Sequence, residues 1–231
     1  GIEKKLHSHH KFNEHATVKM VAGSIAAGRN AALVSDAGTP GISDPGEELV
    51  RMCRDAGVPV TAVPGACACV TALTLSGLST RRFCFEAFLP TDKKEHQRVL
   101  AELQNETRTI VLYEAPHHLL RTLTELYEAL GDRKASICRE LTKKHETAFA
   151  TTFSQALAFY REQDPKGECV LVIEGKSFET IRKEQQESWE SLTIPEHMEH
   201  YLSQGMDKKE AMKAVAKDRG ISKRDVYQQL L

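Results

Sequence analysis

A twelve-residue stretch, Ser35-Asp36-Ala37-Gly38-Thr39-Pro40-Gly41-Ile42-Ser43-Asp44-Pro45-Gly46, follows directly on the apolar run Ala31-Ala32-Leu33-Val34. A strand that ends in a glycine-rich turn and leads into a helix is where an open α/β sheet holds a small ligand, because backbone amides and carbonyls face the crevice. Phosphate-binding turns combine bare amides with a Lys or Arg. This turn has no cation and carries two carboxylates, Asp36 and Asp44. Neither GxGxxG nor GxxxxGK followed by Ser or Thr occurs in the chain. The turn favours a ligand with a positive end.

S-adenosylmethionine meets that description, with a cationic amino group and a sulfonium beside a nearly uncharged adenosine and no phosphate. The pattern continues along the chain. Helix is expected over about Glu14–Ala27, with Val18, Val21 and Ile25 on one face and Gly28 as its stop. Ala31–Val34 is then a strand, and Asp44-Pro45-Gly46-Glu47 reads as a helix start, with Asp44 as N-cap and Pro45 at the first helical position. Val58–Val63 is a second buried strand, Pro64-Gly65 its turn, and Ala66–Leu75 a small-residue helix. Strand, loop, helix repeated twice predicts parallel βαβ topology.

A second α/β half is expected after a boundary at Gly77–Arg82. Strands are predicted over Phe83–Leu89, Thr109–Tyr113, Ser136–Arg139, Ala148–Thr152 and Cys169–Glu174, with helices over Lys93–Leu103 and Pro116–Leu130 and one capped by Ser154. Lys176–Glu190 is charged and amide-rich, a linker or solvated helix. Lys208–Lys217, Gly220 and a capping box over Ser222–Asp225 make a helix-turn-helix-like pair at the end.

Three strings, Ser35–Gly46, Val63-Pro64-Gly65-Ala66 and Leu112-Tyr113-Glu114-Ala115-Pro116-His117, make the chain similar to the tetrapyrrole-methylase superfamily from about Leu6 to Gly175. Within it, the chain resembles the branch that methylates a cytidine ribose 2′-oxygen in 16S rRNA. The resemblance implies an α/β fold of two α/β domains with a cofactor cleft between them, here 1–78 and 79–176, followed by a helical extension over 177–231. It also implies a leading strand with its own glycine-rich loop. The chain opens Gly1-Ile2-Glu3-Lys4-Lys5, so it is read as an N-terminally truncated form with an incomplete pocket.

The cofactor implied is S-adenosylmethionine, with Asp36, Ala37, Gly38, Thr39, Pro40, Pro64, Gly65, Ala66 and Tyr113 around it. Asp36 is the candidate near the methionyl part, and Gly65 allows close approach by the adenosine. Asp44 reads better as a cap than as a ligand contact. Glu114 and His117 are the candidates for a general base, and the sequence does not choose between them; a strand-end turn before a Pro-started helix is the plain alternative. Family members commonly have Arg where this chain has His118. Arg139, Lys143 and Lys144, in a polar loop after a strand, are candidates to grip the RNA backbone. Lys208, Lys209, Lys223 and Arg224 in the basic tail are candidates for the same task.

Composition limits the alternatives. The chain has 231 residues with 41% hydrophobic content, enough for a sizeable core. Its net charge of −1 does not suggest wholesale nucleic-acid binding, so RNA contacts must be local. No apolar run approaches the roughly 20 residues of a membrane span and nothing at the start reads as a signal peptide, which places the expectation in the cytoplasm with no membrane partner; no DNA partner is expected either. The six cysteines show no CxxC pair, and Cys67 and Cys69 are read as packing residues. His7, His9, His10 and His15 lack the spacing of a defined metal site. The partner expected is 16S rRNA or the small ribosomal subunit, and the resemblance adds a homodimer. Two other functions fit the same residues: a tetrapyrrole C-methyltransferase, and a non-catalytic RNA- or ribosome-binding module.

Overall fold

The computed structural model describes residues 6–9 and 14–231, without the side chains of residues 14–16. His10 and Asn13, and the side chains of Glu14 and His15, therefore lie outside the described residues. By its contacts the chain divides into two compact units, one of residues 1–103 with 108–174, the other of 104–107 with 175–231.

The first unit is built on one mixed five-stranded sheet of β1 (Phe83–Ala87), β2 (Thr109–Glu114), β3 (Lys134–Arg139), β4 (Thr147–Thr152) and β5 (Cys169–Ile173), in the order β1-β2-β5-β3-β4. The β1 and β2 strands are parallel, whereas β5 runs antiparallel to both β2 and β3. The C-terminal ends of β1, β2 and β3 consequently share one rim. Glu114 and Arg139 mark it, for both pair with Cys169 at the start of β5.

Side chains alternate across a strand, so each strand serves two cores. On one face Ile110, Leu112, Ile137, Leu171 and Ile173 pack with Leu100, Leu123, Phe153 and Leu157 from α4 (Lys93–Gln104), α5 (Leu119–Leu130) and α6 (Phe153–Glu162). On the other, Val111, Cys138, Val170 and Val172 meet Cys69, Ala72 and Leu73 of α3 (Ala68–Leu75). The small side chains of α3 suit it to this close packing.

Upstream of α3 the reading changes. Helices α1 (Glu14–Ala26) and α2 (Glu47–Asp55) form as expected and bury a small core of Val18, Ala22, Leu49 and Cys53. The two strands expected at Ala31–Val34 and Val58–Val63 do not form, and the parallel βαβ sheet they were to build is absent among the described residues. Neither run has a ladder partner there, and Val34 and Val63 are exposed. A strand's amides and carbonyls must be paired, and an apolar sequence supplies no partner by itself. The start of α2 also differs. Gly46, at φ 146°, occupies the N-cap position without a side-chain cap bond, which leaves Asp44 and Pro45 outside the helix. Likewise α6 is capped by Thr152, which accepts from the Gln155 amide, while Ser154 donates to Asp132.

The second unit is helical, with α7 (Phe178–Ser188), α8 (Ile194–Ser203), α9 (Lys208–Arg219) and α10 (Lys223–Gln228). Ile194, Met198, Ala211, Val215, Ala216 and Val226 form its core. Asp207 caps α9 by accepting from the Lys209 and Glu210 amides, Gly220 ends it in the left-handed conformation at φ 64°, and the Ser222–Asp225 capping box opens α10. Among the described residues no helix is long and apolar enough to cross a membrane.

Candidate functional site

The two glycine loops, 27 residues apart in sequence, are laced together. The Thr39 amide donates to the Ala66 carbonyl at 2.9 Å, and the Thr39 hydroxyl donates to the same oxygen at 3.2 Å. Gly38, at φ 75°, lies so close that a Cβ there would meet that carbonyl at 2.7 Å. Only glycine combines that conformation with that approach. Ser35 tightens the turn from within, its hydroxyl lying 3.1 Å from the Ala37 carbonyl and 3.0 Å from that of Gly38. Asp36, Ala37, Gly38, Pro64, Gly65 and Ala66 are exposed, and Thr39 and Pro40 half-buried. The result is a surface of bare backbone beside the Asp36 carboxylate, with Asp44 exposed further along the first loop and no Lys or Arg in either loop.

Tyr113 joins this surface to the sheet. Its hydroxyl accepts from the Cys69 amide at 3.1 Å, at the start of the helix that follows Ala66. Its ring packs edge-on against Phe85 at 4.9 Å and Phe88 at 5.8 Å. Burial, with the neighbouring cysteines, pushes the Tyr113 phenol up to about 12 and the Cys69 thiol up to about 11. Both stay protonated at neutral pH, which suits a polar anchor rather than a nucleophile. Cys67 and Cys69, with sulfurs 3.6 Å apart, are held there as packing groups.

Strand alternation sends the next residue to the opposite face. Glu114 is buried against α5, where one carboxylate oxygen accepts from the Ala115 amide at 2.7 Å and the other from the Thr122 hydroxyl at 2.6 Å. Both oxygens are occupied in holding the turn into the short 3₁₀ helix Pro116–His118. Thr122 escaped the sequence reading; the signal available was a polar residue on the otherwise leucine-lined face of α5, eight residues after an acidic one. His117 is exposed, with its ring 4.1 Å from that of His118. It borders a cavity lined by residues of the α5 and α6 regions and by none from the glycine loops.

Among the basic candidates, Arg139 sits on the rim and donates to the Lys166 carbonyl at 2.9 Å. Lys143 lies between Glu140 at 3.1 Å and Glu168 at 3.2 Å, and the hydrogen bond it donates to Glu140 chiefly holds its ammonium above its ordinary value. Its charge is largely answered within the protein. Lys144 is exposed in the same loop. In the helical unit Lys208 and Lys209 open α9, and Lys223 and Arg224 open α10, all exposed. Cations at helix N-termini oppose the helix dipole, a local cost that an anionic partner would reverse. Among the described residues no group of three or more His, Cys, Asp or Glu is placed to hold a metal.

Residues 2–157 match the family model of the Tetrapyrrole (Corrin/Porphyrin) Methylases. Ribosomal RNA small subunit methyltransferase I of Bacillus subtilis (strain 168) is 44% identical over 226 residues, spanning 98% of this chain and 77% of that protein. The protein of the same name from Synechocystis sp. is 42% identical over 222 residues, 96% of this chain and 78% of that one. The crystal structure of the methyltransferase CobJ matches with a TM-score of 0.53 and 18% identity over 68% of this chain and 70% of that chain, a likeness of fold.

Proposed function

Because the chain belongs to the tetrapyrrole methylases, and within them to the ribosomal RNA small subunit methyltransferase I family, we infer that it is an S-adenosylmethionine-dependent rRNA methyltransferase whose target is a cytidine ribose 2′-hydroxyl of 16S rRNA. The observation that carries the cofactor site is the lacing of the two glycine loops through Thr39 and Ala66.

The residues present fit the cofactor. Where a Cβ on Gly38 would collide with Ala66, the backbone is left bare for a nucleoside, and Asp36 answers positive charge where no basic side chain competes. Asp36, Ala37, Gly38, Thr39, Pro40, Pro64, Gly65 and Ala66 are the proposed binding residues, with Tyr113 holding the start of α3 beneath them. When bound, S-adenosylmethionine supplies an electrophilic methyl group on a sulfonium. The chain's own contribution is alignment and exclusion of water, and good alignment is worth on the order of 7–11 kcal/mol.

A base that accepts the hydroxyl proton adds about 10²–10⁴-fold. His117 is the base proposed here, because its ring is exposed whereas both oxygens of Glu114 are occupied. Glu114 is then a positioning residue for the turn that carries His117. Arg139, Lys143 and Lys144, and separately Lys208, Lys209, Lys223 and Arg224, are proposed phosphate contacts. The deep, narrow major groove of A-form RNA directs the tail to phosphates or single strands. Replacing Lys208 and Lys209 by Glu is expected to weaken RNA binding and flatten its salt dependence. The assembly proposed is a homodimer in the cytoplasm.

The test is transfer of tritium from methyl-labelled S-adenosylmethionine to small-subunit particles carrying unmodified rRNA. The expected product is label in 16S rRNA within an alkali-resistant dinucleotide, since a 2′-O-methyl group blocks strand cleavage at that ribose. Unlabelled rRNA, or label accepted instead by a tetrapyrrole, would overturn the reading.

A further inference from the structure

The cavity beside His117 has a volume of about 380 Å³ and is lined by Pro116, His117, Leu120, Tyr160, Asp164 and Pro165. It lies on the opposite face of the sheet from the glycine loops but at the same rim. Pro116 follows the end of β2, and Asp164 and Pro165 precede the start of β5, whose Cys169 is paired with Glu114. Its size falls within the range of small-ligand sites, and a substrate laid across the rim would reach both faces.

The lining narrows the ligand. Pro116, Leu120 and Pro165 give apolar walls suited to a flat ring. Asp164 offers a carboxylate, an acceptor only, which disfavours phosphate and calls for a donor such as an amino group. The phenol of Tyr160 and the imidazole of His117 supply the complementary donors or acceptors. Burial holds the Tyr160 phenol above its ordinary value, so it is protonated and available to donate. Arg139, bonded to the Lys166 carbonyl, sets a cation beside the segment that carries Asp164, where a sugar-phosphate backbone leaving the cavity would pass. A metal ion would find only Asp164 and His117 in this lining, too few ligands for a site of its own.

We propose that this cavity receives a nucleobase bearing an exocyclic amine, with its ring against Pro116 and Pro165 and its amine donated to Asp164. The ribose of that nucleotide then lies at the rim beside His117. This assignment rests on the rRNA methyltransferase reading given above, and it names how that enzyme selects its nucleotide. Single-stranded RNA is commonly read in this way, by unstacked bases held against flat side chains and bonded along their edges.

The experiment uses the full chain and three fluorescein-labelled ribo-oligonucleotides that differ only in one central base, C, A or U. The amino-bearing C and A are expected to bind about 10-fold more tightly than U, the discrimination that one well-placed base contact provides. Asp164→Ala should bring the three to within about twofold of one another, and Tyr160→Phe should weaken the preferred oligonucleotides a few-fold. A preference for C over A would make the pocket pyrimidine-sized; equal binding of C and A leaves the amine as the feature read. Because Asp164 is exposed, its truncation should leave the melting temperature unchanged.

Equal binding of all three bases by the native chain, or discrimination that survives Asp164→Ala, would overturn the pocket. Methyl transfer to small-subunit particles separates this outcome from the broader reading. If the native chain methylates rRNA and Asp164→Ala does so with the same kcat/KM, the pocket fails and the enzyme stands. If the native chain methylates nothing, the enzyme reading fails, and the base discrimination still decides the pocket.

Discussion

Apolar runs in two regions of this chain meet opposite fates. In β5, Val170, Leu171, Val172 and Ile173 are at most 5% exposed, flanked by β2 and β3 and covered on both faces. In the N-terminal part, Val34 is 72% and Val63 82% exposed, in runs with no ladder partner among the described residues. Local composition separates them only in part: Ala31 and Ala32 weaken the first N-terminal run and Pro59 the second, yet Val34, Val60 and Val63 are as β-prone as Val170. The difference lies in the neighbours, since a strand is stabilised by pairs across the ladder and by packing against each face. The same contrast explains the site. Its loops follow the unpaired runs, yet they are fixed, because Thr39 and Ala66 hold each other and Tyr113 ties the next helix to the buried sheet.

Truncating one apolar side chain of each kind should give very different losses of stability. Leu171→Ala should cost about 2–5 kcal/mol in urea unfolding, as a cavity in the centre of the main core. Val63→Ala should change stability by no more than about 0.5 kcal/mol. Equal effects would mean that the N-terminal run is buried in solution. Next in size, Thr122→Val should cost about 1–3 kcal/mol, because the buried Glu114 carboxylate loses a partner it cannot replace. That loss should be accompanied by a fall in kcat if Glu114 positions the turn before His117.

A smaller effect is expected in the helical unit. Asp207→Ala removes the cap of α9 and should lower stability by about 0.5–2 kcal/mol. The single tryptophan, Trp189, stacks on His197 with ring centroids 3.9 Å apart, so its fluorescence reports this unit. His197 is fully buried, accepts from the Arg219 side chain at 3.2 Å and is held below its ordinary value, first by burial and then by the Arg219 charge. The unfolded state therefore takes up a proton at higher pH than the folded state does. Its contribution is complete above the unfolded value of about 6.5 and declines as pH falls from there through the folded value. The Trp189-detected melting temperature should fall over that window. His197→Gln should flatten the dependence, and an unchanged slope would remove His197 from this account.

Much of this was readable beforehand, for identifiable reasons. The helix-turn-helix pair was legible because Gly220 and the Ser222–Asp225 box are local signals that act within a few residues, whereas the Asp207 cap of α9 emerges only from the structure. Helix α8 was missed although Thr193-Ile194-Pro195-Glu196 is a capping box with Pro in its first turn; the charged segment before it masked the start. The missing N-terminal strands could not be foreseen, because pairing is decided at a distance. In the site, the loops were visible as glycine strings, but the Thr39–Ala66 bonds and the opposite facing of Tyr113 and Glu114 required the sheet. The partnership of Glu114 with Thr122 likewise depends on how α5 lies on β2.

The paired loops are the proposed S-adenosylmethionine site. Hydrogen exchange with and without the cofactor, resolved to peptides covering residues 35–41, 63–69 and 134–152, decides whether the nucleoside docks there. Slowed exchange is expected in the first two peptides, with no change across β3 and β4. Protection of the 134–152 peptides with 35–41 and 63–69 unaffected would contradict it.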